Sequence, residues 1–115
     1  MAKIFLAILG IGKGSWGHVA RIIAEQEWDK IVLISNEWGK ENFAPSKETD
    51  WILVNNRLGF EILKDELKKN LPEGDLHISL ISGSGKEHSA LLAALREKKQ
   101  DYKLVILTGE GMKSY

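Results

Sequence analysis

The chain has 115 residues, no cysteine, and 16 Lys plus Arg balanced by 16 Asp plus Glu. One domain spanning residues 1–115, with a single core, suits that length, and the zero net charge gives no long-range attraction to extended nucleic acid or an anionic membrane. Without thiols there is no disulfide framework, thiolate zinc site or catalytic cysteine, which fits a reducing cytoplasm.

Lys3 to Leu9 is a mostly apolar run closed by Gly10 and is too short to cross a membrane, so it reads as a strand buried on both faces. Trp16, Val19, Ala20 and Ile23 then recur at helical spacing, with Ser15 placed as N-cap and Arg21, Glu25 and Gln26 on the opposite face. Lys30 to Ser35 predicts a second buried strand, ended by Asn36-Glu37-Trp38-Gly39. Residues 40–50 are polar, contain Pro45 and show no period, so a loop or a short irregular helix is expected. Trp51 to Val54 reads as a third strand, and Phe60, Leu63, Leu67 and Leu71 mark one face of a helix stopped by Pro72 and Gly74. Leu76 to Ile81 is the fourth strand, and Glu87 to Lys99 a helix with Leu91, Leu92 and Leu95 inward. Leu104 to Leu107 is the fifth strand, and residues 109–115 are a tail or a small extra strand.

Strands alternating with helices predict an α/β fold, a Rossmann-like three-layer sandwich whose mainly parallel sheet has five to six strands in the order 3-2-1-4-5. In that order the first and fourth strands are neighbours where the winding reverses. Ligands of such sheets bind outside the carboxyl ends at that point. Two glycine-rich loops follow those two strands.

Gly12-Lys13-Gly14-Ser15-Trp16-Gly17 has the G-x-G-x-x-G spacing, with Glu37 about twenty residues on, which is formally the dinucleotide fingerprint. Against it, the apolar strand stops two residues before Gly12, and Trp16 is bulky for a pyrophosphate turn. An NAD- or flavin-type enzyme on Gly12, Gly14, Gly17 and Glu37 and a plain strand-to-helix turn both remain open. The second loop, Ser82-Gly83-Ser84-Gly85-Lys86, is not a Walker A loop, because Leu80 and Glu87 stand where its first glycine and its hydroxyl belong. Ser82 and Ser84 offer hydroxyls to an anion at the helix start, and Lys86 a charge. The plainer reading makes Ser84 a helix cap and Lys86 a solvated cation, in a ligand-free interaction module.

The stretch from Leu80 to Leu91 resembles the loop after the fourth strand in CRISPR-associated Rossmann-fold (CARF) domains, which tends to read T-G-G-T-K-x-M before small and apolar residues. Ser82 stands for the first Thr, Gly83 for the first Gly and Lys86 for the Lys. Ser84, Gly85 and His88 depart from the second Gly, the second Thr and the Met. The order of elements agrees over essentially the whole chain. This resemblance implies a homodimer that binds cyclic oligoadenylate across its twofold axis, as a sensor in an antiviral system and, in the ring nucleases of the family, as a metal-independent enzyme.

On that basis the expected ligand-binding residues are Gly12, Lys13, Gly14, Ser15 and Trp16 in the first loop, Asn36 after the second strand, and Ser82, Gly83, Ser84, Gly85 and Lys86 in the second loop. Trp16 or Trp38 would stack on adenine. Cleavage by the ribose 2′-hydroxyl asks only for alignment and charge stabilisation, for which Lys86, Ser15 and His88 are the candidate catalytic residues. His18 sits similarly in the first helix, and His77, inside a strand, reads as structural. No cofactor is implied. The three histidines share no metal motif, and the G-x-S-x-G elbow of a serine hydrolase is absent.

Overall fold

A computed structural model describes all 115 residues. Its strands are β1 (Lys3–Ile8), β2 (Lys30–Ser35), β3 (Asp50–Leu53), β4 (Asp75–Ser79), β5 (Tyr102–Thr108) and β6 (Gly111–Ser114). Its helices are α1 (Trp16–Glu25), α2 (Glu37–Asn42), α3 (Phe60–Asn70) and α4 (Gly85–Glu97). The six strands form one sheet in the order β3-β2-β1-β4-β5-β6, parallel except for the β5–β6 hairpin. This is the expected Rossmann-like arrangement in the expected strand order, and the C-terminal segment pairs as the extra strand.

β1 lies at the centre because its side chains are apolar on both faces. Ile4, Leu6 and Ile8 pack with Leu63 and Leu67 of α3 and Leu91 and Leu95 of α4. Phe5, Ala7 and Leu9 face the other layer, with Trp16, Val19, Ile22 and Ile23 of α1 and Phe43 beyond α2. A central parallel strand covered twice therefore shows no polar alternation, and each fully buried Leu or Ile contributes about 1.5–3 kcal/mol. Phe60, counted on the inner face of its helix from spacing, is instead 37% exposed at the first position of α3. His77 is buried on the α1 side of β4, with Nε2 3.0 Å from Asp75 Oδ2 and its ring edge-on to Trp28.

α3 and α4 are strapped together by charge. Lys64 Nζ lies 2.9 Å from Glu61 and 2.7 Å from Glu97, and Lys68 Nζ lies 3.1 Å from Glu97. Hydrogen bonds from Lys64 and then Lys68 hold the Glu97 carboxyl below the ordinary glutamate range. A depressed folded value adds stability above the unfolded value of about 4.3, and that increment is lost as pH falls through the folded value. Glu97→Gln is therefore expected to lower the urea midpoint at neutral pH, with the gap to the parent narrowing toward about pH 3. A gap of constant size over that range would mean the carboxylate charge is not the stabilising feature.

Three local expectations change. Ser15 precedes α1 but makes no capping bond, because Lys13–Ser15 form a 3-10 turn that leaves Ser15 at φ −101°, ψ −2° rather than in the extended geometry a cap uses. Asn36 opens a helix where the sequence predicts only the end of a strand: its Oδ1 accepts from the Gly39 N–H at 2.8 Å, and Gly39 lies too close to Ser35 to carry a side chain. α4 begins at Gly85, two residues before the predicted start, because Ser84 and Glu87 form a reciprocal capping box.

Candidate functional site

At the carboxyl edge of the sheet the chain leaving β1 stays extended through Leu9, whose N–H donates to Ile34 O at 2.8 Å, and then turns at Gly10. The Gly10 N–H donates to Ser82 Oγ at 2.8 Å, joining the first loop to the one after β4. A methyl group on Gly10 would stand 2.8 Å from Gly83 N and 2.9 Å from Gly83 Cα. Gly83 itself has φ +106°, and a methyl there would meet Ile8 Cγ2 at 2.6 Å. Gly10 and Gly83 are thus the glycines this junction requires. At Gly12, Gly14, Gly17 and Gly85 a methyl would touch nothing within 4 Å. In the dinucleotide fingerprint the third glycine admits close helix–strand packing, and Gly17 makes no such contact.

The second loop is braced from within. Ser82, expected to offer its hydroxyl to a ligand, is 1% exposed and holds Gly10 instead. Ser84 Oγ accepts from the Glu87 N–H at 3.2 Å while Glu87 Oε1 accepts from the Ser84 N–H at 2.8 Å, so the plainer reading of Ser84 as a cap describes its contacts. The N–H groups of Gly85 and Lys86, in the first turn of α4, have no intrahelical acceptor. His88 Nε2 lies 2.8 Å from the Ser82 carbonyl, where it props the loop from beneath. A ring nitrogen that donates there is not free to act as a base. Lys86 Nζ donates to the Leu58 carbonyl, tying α4 to the loop between β3 and α3.

Between the two loops lies a cleft of about 510 Å³. Gly10, Gly12, Gly14 and Ser15 line one wall, Gly83, Ser84 and Glu87 the other, and Asn56 from the β3–α3 loop closes the end. Ser15 is half-buried there with no capping duty. Lys13 is exposed on the first loop, its Nζ 5.7 Å from the Trp16 ring centroid and 5.5 Å from that of Trp38. Trp16 is not a stacking platform: it is 7% exposed, packs edge-on to Phe43, and its indole N–H donates to the Gly10 carbonyl at 2.8 Å. Trp38 is 40% exposed. It borders an adjoining groove of about 520 Å³ with Asn36, Asn55, Asn56 and Arg57.

The structure therefore brings Gly12, Gly14, Ser15, Gly83 and Ser84 to one cleft, with Lys13 beside it. Asn36 is spent as a cap, and Lys86 and His88 are engaged in holding neighbouring backbone. Asn56 was missed, although its place just past the carboxyl end of a predicted parallel strand was a usable signal. No group of three or more His, Asp or Glu side chains stands together as a metal site would require.

No protein-family model and no curated protein sequence matches the chain. Among solved structures it is similar to Enterococcus italicus Csm6 bound to cyclic hexa-2'-fluoro-hexa-dAMP, with a TM-score of 0.59 and 16% identity over 98% of this chain and 35% of that one. At that identity the likeness is one of fold, and the chain spans about a third of that protein's length, the figure being 35%.

Proposed function

We propose that residues 1–115 form a ligand-binding domain for cyclic oligoadenylate in a CRISPR-associated antiviral system, acting as a homodimer in the cytoplasm. The observation that carries this reading is the close approach of Gly10 to Gly83, fixed by the Gly10 N–H bond to Ser82 Oγ, which sets the two glycine-rich loops beside one cleft at the point where the winding reverses. The fold likeness supports it, because the solved protein of similar fold is described with a cyclic hexanucleotide analogue bound. Phosphate oxygens are to be met by the uncapped N–H groups opening α4, by Ser15 and by Lys13.

The cleft of about 510 Å³ has the size of a site for one small ligand, so a ring of four or six adenylates has to extend over two such clefts. A twofold dimer supplies the second cleft and doubles each cation, which is how a chain of zero net charge holds several phosphates. Sensing is the primary activity in this reading. In ring opening the ribose 2′-oxygen attacks the adjacent phosphorus to form a 2′,3′-cyclic phosphate and the P–O5′ bond breaks. The 2′-hydroxyl proton passes to solvent, and the leaving 5′-oxygen takes a proton from solvent. Alignment rests on Ser15 and backbone N–H groups, because Lys86 and His88 are engaged elsewhere.

Calorimetric titration with cyclic tetra-adenylate and cyclic hexa-adenylate is expected to show micromolar or tighter binding of one ring, and light scattering a mass of two chains. Binding of neither ring at micromolar ligand would overturn the proposal. Chromatography of the ring after long incubation separates a sensor, which returns it intact, from a nuclease.

A further inference from the structure

We propose that the groove beside Trp38 is a purine-base subsite, with Trp38 as its stacking face and Asn56 as the residue that reads the edge of the base. This rests on the cyclic oligoadenylate reading of the neighbouring cleft and adds to it the part of the ligand that the glycine loops do not recognise.

The groove and the cleft are similar in volume, about 520 and 510 Å³, and they share one lining residue, Asn56. Because the two cavities adjoin at Asn56, a nucleotide whose phosphate rests in the cleft has the groove as the neighbouring space for its base. There it meets an indole that is 40% exposed, on the first turn of α2. Lys13 Nζ, 5.5 Å from the centroid of that indole, keeps a positive charge beside the platform for the phosphate that accompanies the base.

The three polar residues that follow β3 divide the remaining work. Asn55 Oδ1 is committed to the local turn, accepting from the Arg57 N–H at 3.0 Å. Asn56 is half-buried, faces both cavities, and its side-chain amide has no protein partner. An amide presents a donor and an acceptor side by side, which is the complement of the N6 amino group and N7 of adenine. Hypoxanthine carries O6 in place of that amino group and leaves the amide oxygen unmatched. Arg57 flanks the groove and suits either the outer face of the base or the next phosphate.

The test uses the full chain and four rings: cyclic tetra- and hexa-adenylate and their hypoxanthine counterparts. Trp38→Ala is expected to weaken every ring that the parent binds by about fivefold to a hundredfold, and Trp38→Phe to recover most of that loss. Asn56→Leu is expected to weaken the adenine ring about tenfold and the hypoxanthine ring less, since hypoxanthine forgoes only the N–H bond to N7, so that discrimination between the two narrows. Thermal melts of the three variants show whether any loss reflects unfolding. If the parent binds an adenine ring and Trp38→Ala and Asn56→Leu bind it equally well, the base lies elsewhere and the subsite is wrong while the function stands. If the parent binds none of the rings, both readings fall.

Discussion

Gly83→Ala is expected to lower folding stability by about 2–4 kcal/mol and to abolish detectable ligand binding, whereas Gly85→Ala, two residues on, leaves binding intact and stability equal or slightly higher. Gly83 has φ +106° and its missing side chain would meet Ile8 Cγ2 at 2.6 Å, so alanine there suffers both backbone strain and a clash with the central strand. Relief by moving the loop separates Gly83 from Gly10 and breaks the 2.8 Å bond between the Gly10 N–H and Ser82 Oγ. Both walls of the cleft then shift together. Gly85 has open space at its Cβ position and stands first in α4, where alanine is the better helix former. Urea unfolding followed by titration distinguishes the two. Equal stability of the two variants would show that the junction does not brace the site.

That contrast also shows what the residues disclose on their own. The doubly covered sheet was legible because Lys3 to Leu9 and Lys30 to Ser35 are apolar on both faces, as strands covered on both sides are, and the alternation of strands with helices supplied the parallel order. The location of the site followed from the order. The individual contacts did not follow, because each is tertiary. Glycine spacing drew attention to Gly12, Gly14 and Gly17, while the glycine under steric demand, Gly10, is needed only because the β4 loop lies against it. Trp16 looked available beside flexible residues, but its indole N–H has an acceptor six residues back at Gly10 and its ring a partner in Phe43. α2 was hidden by Gly39, a poor helix residue retained because Ser35 leaves no room for a side chain. Asn56 signals only its place just past a strand end, and its part in the site comes from two cavities meeting beside it.

Lys86 brings the tertiary and the chemical arguments together, since one ammonium group both tethers the β3–α3 loop and stands at the positive end of α4. Lys86→Ala removes both contributions and is expected to weaken cyclic oligoadenylate binding by about 1–3 kcal/mol. Lys86→Gln is chosen to separate them, because a glutamine amide is a donor one atom shorter than the lysine and carries no charge. Hydrogen exchange at residues 56–59 reads the tether: protection is expected to fall several-fold in Lys86→Ala and to stay near the parent level in Lys86→Gln. The salt dependence of affinity reads the charge, and both variants are expected to show a shallower slope than the parent, since each removes one cation from the neighbourhood of the bound phosphates. Because Asn56 rides on the tethered loop, Lys86→Ala is also expected to lose some preference for adenine over hypoxanthine, while Lys86→Gln keeps it. If Lys86→Ala keeps the parent's exchange protection and base preference, the contact with Leu58 has no part in binding and Lys86 acts by charge alone.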